Sequence, residues 1–121
     1  MKLLYLSFIC ILLSLTSCAF FDKAKLDPYS NMTEVELYNQ GSAFLAVADI
    51  PQAVVVFQML EARYPFSTYA QQSILDLAYA YYDFGQKDET IAECDRFIDL
   101  YPNPHSLDYA DYLRALSNLE K

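Results

Sequence analysis

The sequence predicts an all-α domain of stacked helical hairpins, and two observations support that prediction. Apolar residues follow the helical period over long stretches, with no strand-like alternation of any length. Six positions also recur, with similar residue types, 37 residues further along the chain. Such repeats are typical of stacked hairpins, because one hairpin alone cannot bury its apolar face. The recurring pairs are Gly41 and Ala78, Phe44 and Tyr81, Phe57 and Cys94, Leu60 and Phe97, Tyr64 and Tyr101, and Pro65 and Pro102.

Residues 1–17 are typical of an export signal rather than of a folded element. Lys2 supplies a positive charge, and residues 3–15 form an apolar run too short for a permanent membrane span. The run ends in Leu-Thr-Ser followed by Cys18, which resembles the lipobox of bacterial lipoproteins. We therefore expect cleavage before Cys18 and acylation of its thiol, the alternative being an ordinary signal peptide that contains a cysteine. Ala19 follows, which by resemblance to Gram-negative lipoprotein sorting predicts the periplasmic face of the outer membrane.

The mature chain would hold a single free cysteine and a strong negative charge. Cys94 has no partner for an intrachain disulfide, and it occupies the place of Phe57, so we interpret it as a small buried hydrophobic residue rather than a reactive thiol. Residues 18–121 contain 7 basic and 16 acidic side chains, a formal charge of −9. This charge disfavours nucleic acid and anionic headgroups as partners. We expect membrane attachment through the lipid alone.

The first hairpin is bounded by clear helix signals. Residues 18–32 have no helical period and are predicted to be a tether from the lipid to the repeat domain, residues 33–121. Thr33 and Glu36 predict a capping box for a helix that runs to about Val47. The second helix should begin at Asp49-Ile50-Pro51 and end before Pro65.

The second hairpin repeats these signals, and one further helix follows. Residues 68–71 predict a second capping box, and Phe66 is placed to pack back onto that helix. Gly85 suits a left-handed C-cap, and Asp88 and Glu89 favour the start of the next helix through its dipole. The last helix is expected from about residue 106 or 107 to the end of the sequence.

Small residues recur where two helices of a hairpin must approach closely. Two helix axes can come within about 8 Å of each other only where one of the contacting residues is very small, such as glycine or alanine. Gly41 costs about 1 kcal/mol in helix propensity relative to alanine, and close packing is the expected compensation. The small positions are Gly41, Ala53, Ala78 and Ala115.

These spacings resemble the tetratricopeptide repeat, and a narrower resemblance covers the same residues. The first repeat matches that pattern at Gly41, Phe44, Ala53, Phe57 and Pro65, whereas the second departs from it at Thr90 and Cys94. The segments 63–67, 69–72, 75–82, 95–98 and 108–116 resemble the BamD/ComL (YfiO) family. Together with the lipobox, the match covers nearly all of residues 34–121.

The resemblance implies a lipoprotein of the outer-membrane β-barrel assembly machinery. Family members contain about five such repeats, receive unfolded barrel proteins in the periplasm and pass them to the BamA subunit. This sequence matches two full repeats and one unpaired helix, so it does not extend to the later repeats that make most of the BamA contact. The amino-terminal repeats, which the family uses to recognise the carboxy-terminal aromatic signal of barrel substrates, are present.

The resemblance also places a peptide-binding groove on the first helix of each hairpin. Such a groove would be aromatic and aliphatic. Tyrosines offer a large contact area and lose little side-chain conformational entropy on binding, because they have few rotatable bonds. The competing interpretation is that a tyrosine stripe at helical spacing packs in the core. The predicted groove residues are Tyr38, Leu45, Leu75, Tyr79, Tyr82 and Tyr112, and the same repeat positions also include Ser42, Ala46 and Asp83.

Three residues at the proline-broken junction between hairpins are candidate ligand contacts. Tyr64 and Phe66 flank Pro65, where structural packing is an equally good interpretation. Arg63 could pair with a peptide carboxylate, although a surface ion pair with a neighbouring acid is the more common role.

The sequence does not indicate an enzyme, a cofactor or a metal site. His105 is the only histidine and has no second ligand nearby, and two glycines cannot form a phosphate-binding loop. Three hypotheses remain: a barrel-assembly factor, a generic periplasmic repeat lipoprotein that scaffolds envelope proteins, and a nonfunctional truncation. The third follows from the last helix, whose apolar surface around Tyr112, Leu113 and Leu116 is expected to be uncovered.

Overall fold

A computed structural model describes residues 1, 27–102 and 104–119, which belong to two units, Met1–Ser30 and Asn31–Lys121. In the first unit a turn joins the Ser30 amide to the Asp27 carbonyl oxygen at 3.0 Å. Residues 2–17 of the predicted signal peptide and Cys18 lie outside the described residues. No helix in the described ranges is long and apolar enough to cross a bilayer.

The described part of the second unit consists of five α-helices and contains no strand, which confirms the all-α prediction. The first two helices form one hairpin, and the third and fourth form a second. The third helix contacts both helices of the first hairpin, and the fifth packs on both helices of the second. The helices are α1 (Glu34–Ala46), α2 (Ile50–Arg63), α3 (Thr68–Asp83), α4 (Lys87–Leu100) and α5 (Pro104–Leu119).

The first hairpin begins as the sequence predicts. The Thr33 amide donates to Glu36 Oε2 at 2.8 Å, and the Glu36 amide donates to Thr33 Oγ1 at 3.4 Å, which completes the capping box. Asp49 caps α2 by accepting from the Gln52 amide at 3.3 Å. Between these helices Ala48 has a φ of 61°, the left-handed conformation that Gly85 adopts at the equivalent turn of the second hairpin with a φ of 72°.

Two predicted helix starts are wrong by one to three residues. Ser67 caps α3, because its backbone is still extended and its Oγ accepts from the Tyr69 amide at 3.1 Å, whereas Thr68 is already helical. The fifth helix begins at Pro104 rather than at residue 106 or 107, since a proline is tolerated in the first turn, where its missing amide has no helical partner. Phe66 does not pack back onto α3, because its side chain is exposed.

The core runs between the helices of each hairpin and on into α5. Phe57 in α2 and Phe97 in α4 are its largest fully buried side chains. One cluster joins Ile74, Leu75, Phe97 and Ala110, and a second joins Ala78, Cys94 and Leu113. The expectation of an uncovered surface at Leu113 is therefore wrong, because this side chain points into the second hairpin and is 2% exposed.

Gly41 lies where α1 and α2 approach closely, as predicted. Gly41, Ala53 and Ala78 are all buried. A Cβ atom built on Gly41 would lie 2.5 Å from Cδ1 of Phe57 and 2.8 Å from its Cζ, and closer still to Cε1. Only a glycine therefore fits beside the Phe57 ring. Ala115, the equivalent position of α5, is exposed, so the prediction of close packing does not hold there.

The helix ends define two ends of the domain, since the hairpins are antiparallel. α1, α3 and α5 begin where α2 and α4 finish, and we call this the junction end; it includes the loop residues 64–67 and 101–102. Tyr101 Oη donates to the Pro65 carbonyl oxygen at 3.1 Å, which ties the two loops together. The hairpin turns at Ala48 and Gly85 lie at the opposite end.

Burial shields the Cys94 thiol from solvent. The side chain is fully buried between α3 and α5, and burial, with the nearby Asp95 carboxylate, raises the pKa of the thiol to about 11. We expect residues 19–121 to resist a thiol reagent at pH 8 while folded and to react once unfolded in denaturant. Because the folded pKa exceeds the unfolded one, the free energy of unfolding should also fall between about pH 9 and pH 11. Rapid labelling of the folded chain at pH 8 would contradict this.

Candidate functional site

A groove runs between α1 and α3 toward the end opposite the junction. It encloses a cavity of about 330 Å³. The lining side chains of α1 and α3 recur at three- and four-residue spacing, which places them on one face of each helix. The lining residues are Ser42, Leu45, Ala46, Asp76, Tyr79, Ala80, Asp83 and Phe84.

Tyr38, a predicted groove residue, does not line this cavity; it bonds to Asp76, which does, and so connects the two hairpins. Its Oη donates to Asp76 Oδ2 at 2.7 Å, and its ring packs 6.0 Å from Phe57 and 5.2 Å from Tyr69, centroid to centroid. Burial, reinforced by the Asp76 carboxylate, raises the pKa of the Tyr38 phenol to about 12. Tyr38 is therefore a neutral donor at physiological pH, and it fixes α1 against α3.

Both oxygens of the Asp76 carboxylate are held in place. Tyr38 bonds to Oδ2, and Gln72 Nε2 donates to Oδ1 at 2.8 Å from one turn earlier on α3. An anchored carboxylate can still accept further hydrogen bonds, since each oxygen has two lone pairs. Asp76 thus presents a fixed acceptor at the groove wall.

The groove is apolar with an acidic wall. Asp76 and Asp83 lie two turns apart on α3, and none of the eight lining residues is basic. Leu45, Tyr79 and Phe84 supply the apolar surface between and beside the carboxylates. Such a wall favours backbone N–H groups or cationic side chains of a ligand and disfavours a carboxylate.

The structure brings some predicted groove residues together and separates others. Leu45 and Tyr79 line the groove, and Tyr79 is 53% exposed. Tyr82 is half-buried and packs against the cluster of Ala78, Cys94 and Leu113 on the α5 side of α3. Tyr112 lies on α5, a helix that does not line the cavity, and its side chain is 61% exposed.

The groove prediction is wrong at Leu75, which is buried. Its side chain is 7% exposed and belongs to the core cluster of Ile74, Phe97 and Ala110. The pattern of first-helix positions alone did not show that α5 would cover this face of α3. Leu75 therefore has no surface to offer a ligand.

The candidate contacts at the junction surround a second cavity. Arg63, Tyr64 and Phe66 line a volume of about 440 Å³, together with Glu34 and the start of α3. This cavity shares no lining residue with the groove. Tyr64 is half-buried, and its hydroxyl donates to the Met32 carbonyl oxygen at 3.3 Å, so it also has a structural role.

Asp76, Ala80 and Phe84 line the groove without having been predicted. The sequence could have indicated two of them, because Asp76 and Ala80 lie near Tyr79 on the same face of α3. Phe84 is the C-cap of α3, where backbone geometry rather than helical phase aims the side chain. Among the described residues no group of three His, Cys, Asp or Glu side chains is arranged to hold a metal ion.

Comparison with known families gives a match over most of the chain. Residues 30–121 match the YfiO family, described as outer membrane lipoproteins. The match begins just before the capping box of α1 and covers both hairpins and α5.

Several curated relatives are named as outer membrane protein assembly factors. The outer membrane protein assembly factor BamD of Neisseria meningitidis serogroup B is 39% identical over 108 residues, which cover 86% of this chain and 40% of the relative. The BamD proteins of Xylella fastidiosa strain 9a5c and of Caulobacter vibrioides are each 35% identical, over 79% and 89% of this chain. The chain spans about 40% or less of the length of these relatives.

Proposed function

The chain belongs to the YfiO family of outer membrane lipoproteins, and we propose that it acts in outer-membrane β-barrel assembly by binding unfolded barrel proteins in the groove between α1 and α3. The relatives are named as assembly factors, which supports a binding role rather than a catalytic one. The observation that carries the proposal is the groove itself, a preformed cavity with an exposed tyrosine and a fixed acceptor.

The groove suits an extended strand with aromatic side chains. Tyr79 offers an exposed ring on which an aromatic or aliphatic side chain packs, with Leu45 and Phe84 beside it. Asp76 accepts a hydrogen bond from the main chain of the ligand, as an unfolded strand has free N–H groups. A cationic side chain of the ligand would approach Asp83.

The acidic wall also sets where the terminal carboxylate of such a strand lies. Asp76 and Asp83 disfavour a carboxylate inside the groove, so the strand binds with its terminus outside it. The basic residue Arg63 lines the junction cavity and not the groove. We propose that the groove binds internal residues of the strand.

The location follows from the predicted lipobox. An acylated Cys18 would hold the repeat domain at the periplasmic face of the outer membrane, because several acyl chains give stable anchoring. Other subunits of the assembly machinery are the expected protein partners. The relatives are more than twice as long as the segment that matches this chain.

Tyr79→Ala should weaken binding of a carboxy-terminal barrel-strand peptide about tenfold, as expected for an exposed aromatic contact in an interface. The measurement is fluorescence anisotropy of the labelled peptide with residues 19–121. Val55→Ala removes a 41% exposed side chain from α2, which does not line the groove, and should leave the affinity unchanged.

A scrambled peptide separates the proposal from its alternative. Selective binding by a folded domain supports barrel-substrate recognition. Equal affinity for both peptides, or equal loss in the two variants, contradicts it and favours a general scaffold in the cell envelope. Circular dichroism of each variant establishes that the domain is folded.

A further inference from the structure

Phe66 is an exposed aromatic residue at the junction end. Its side chain is 93% exposed, more than that of any other large hydrophobic residue in the described ranges except Met1. It lines the junction cavity of about 440 Å³ and a second one of about 310 Å³ formed with Leu100 and Tyr101. A ring that stands out in this way is shielded from water only by something outside the domain.

Apolar groups extend around this ring. Leu100 is 54% exposed, and Pro65 and Pro102 are exposed. The hydrogen bond from Tyr101 Oη to the Pro65 carbonyl oxygen holds the two loops side by side. We define the junction patch as Pro65, Phe66 and Leu100, which line one cavity together.

The chain enters the repeat domain at this same end. Tyr64 Oη donates to the carbonyl oxygen of Met32, the residue before the cap of α1, so the chain enters α1 beside the junction loops. Residues 19–32 can span at most about 50 Å even when fully extended. A lipid on Cys18 therefore keeps the junction end within reach of the bilayer.

We propose that the junction patch is a second membrane contact, in which Phe66 inserts into the bilayer interface near the lipid anchor. The inference rests on the acylated Cys18 of the proposed function. Aromatic rings favour the headgroup region, and the tether raises the effective concentration of the ring at the surface. The net charge of residues 18–121 disfavours anionic lipid, so the occupant is a zwitterionic bilayer.

A bilayer explains the patch better than a protein partner does. A stable protein interface buries about 800 Å² on each partner, whereas one projecting ring with a few apolar neighbours suits insertion into lipid. The junction cavity beside Phe66 is lined by one acidic residue, Glu34, and one basic residue, Arg63, so it presents no net charge of its own to the bilayer.

Insertion at this end leaves the groove accessible. Leu45 lies twelve residues beyond Thr33, which is about 18 Å along α1. Tyr79, Asp83 and Phe84 occupy the same end of α3. The groove would therefore face away from the bilayer and remain open to a strand from the periplasm.

A single tryptophan tests the inference, because the chain contains none. Phe66→Trp and Phe84→Trp are placed in the lipidated full chain on phosphatidylcholine vesicles; Phe84 is a 50% exposed phenylalanine at the opposite end. We expect brominated lipid to quench the indole of the Phe66→Trp variant strongly and that of the Phe84→Trp variant weakly, with a difference of about tenfold in quenching efficiency. Equal quenching of both variants, or of neither, overturns the proposal. So does an indole in the Phe66→Trp variant that becomes shielded only when a protein partner is added.

The wild-type chain provides a second readout that does not depend on the tryptophan variants folding. Hydrogen exchange at residues 64–67 should be slower in the lipidated chain on vesicles than in Cys18→Ser mixed with the same vesicles. Unchanged exchange contradicts insertion. Mass spectrometry of Cys18 and the peptide affinity of the same sample show separately whether the lipid anchor or the groove has failed.

Discussion

Replacing Gly41 with valine is expected to lower the free energy of unfolding by about 3 kcal/mol, at the upper end of the range for overpacking a core. The new Cβ atom would overlap the ring of Phe57, which is fully buried and packed against Tyr38, so the ring has no free space to move into. The gain in helix propensity over glycine is only a few tenths of a kcal/mol and cannot compensate. Urea denaturation followed by circular dichroism measures the change.

Ala43→Val is the matched control for this substitution. Ala43 lies two residues further along α1 and is exposed, so the same valine costs only about 0.5 kcal/mol in helix propensity. Shrinking the opposing ring with Phe57→Leu should recover part of the loss in the Gly41→Val background. Equal stabilities for the two valine variants would contradict a close contact between α1 and α2 at Gly41.

Phe97→Ala is expected to cost about 4 kcal/mol, the typical range for deleting a buried phenylalanine. Phe97 is fully buried where α3, α4 and α5 meet, in contact with Ile74, Leu75 and Ala110, and its ring lies 5.7 Å from that of Tyr101. A domain of this size has about 5–10 kcal/mol of stability in total. The variant should therefore be largely unfolded in mild denaturant.

Leu100→Ala on the same helix provides the comparison, since Leu100 is 54% exposed and its loss should cost less than about 0.5 kcal/mol. Hydrogen exchange locates the damage: in Phe97→Ala, protection should fall first in α5, whose described contacts are with α3 and α4. A Phe97→Ala domain as stable as wild type would mean that α5 is not part of the core.

The sequence predicted the helices well because their ends are chemically marked. Thr33 with Glu36, Asp49 before Pro51, and Gly85 each satisfy or end a helix through local hydrogen bonds or backbone geometry, which depend on few neighbours. The equivalent turn at Ala48 was not predicted as left-handed, because alanine seldom adopts a positive φ. There the tertiary packing of α1 on α2 overrides the local preference.

The candidate site was predicted less completely, because helical period alone does not tell which neighbour covers a face. Leu75 and Tyr79 both belong to the first-helix pattern of the repeat, yet α5 buries the first and leaves the second half-exposed. Leu113 was expected to be uncovered for the same reason and is buried. The acidic wall depends on Asp76 and its bond to Tyr38, a pairing 38 residues apart that no local pattern encodes.

Site-specific photocrosslinking at Tyr79 tests the central claim most directly. A photoreactive phenylalanine analogue replaces Tyr79 in one sample and Val55 in another, and each is irradiated with a labelled barrel-strand peptide. Binding in the groove predicts a crosslink at position 79 that excess unlabelled peptide removes and a scrambled peptide does not, with little product at position 55. Peptide binding without a crosslink at position 79, or equal crosslinking at both positions, would contradict the assignment of the groove between α1 and α3 as the substrate site.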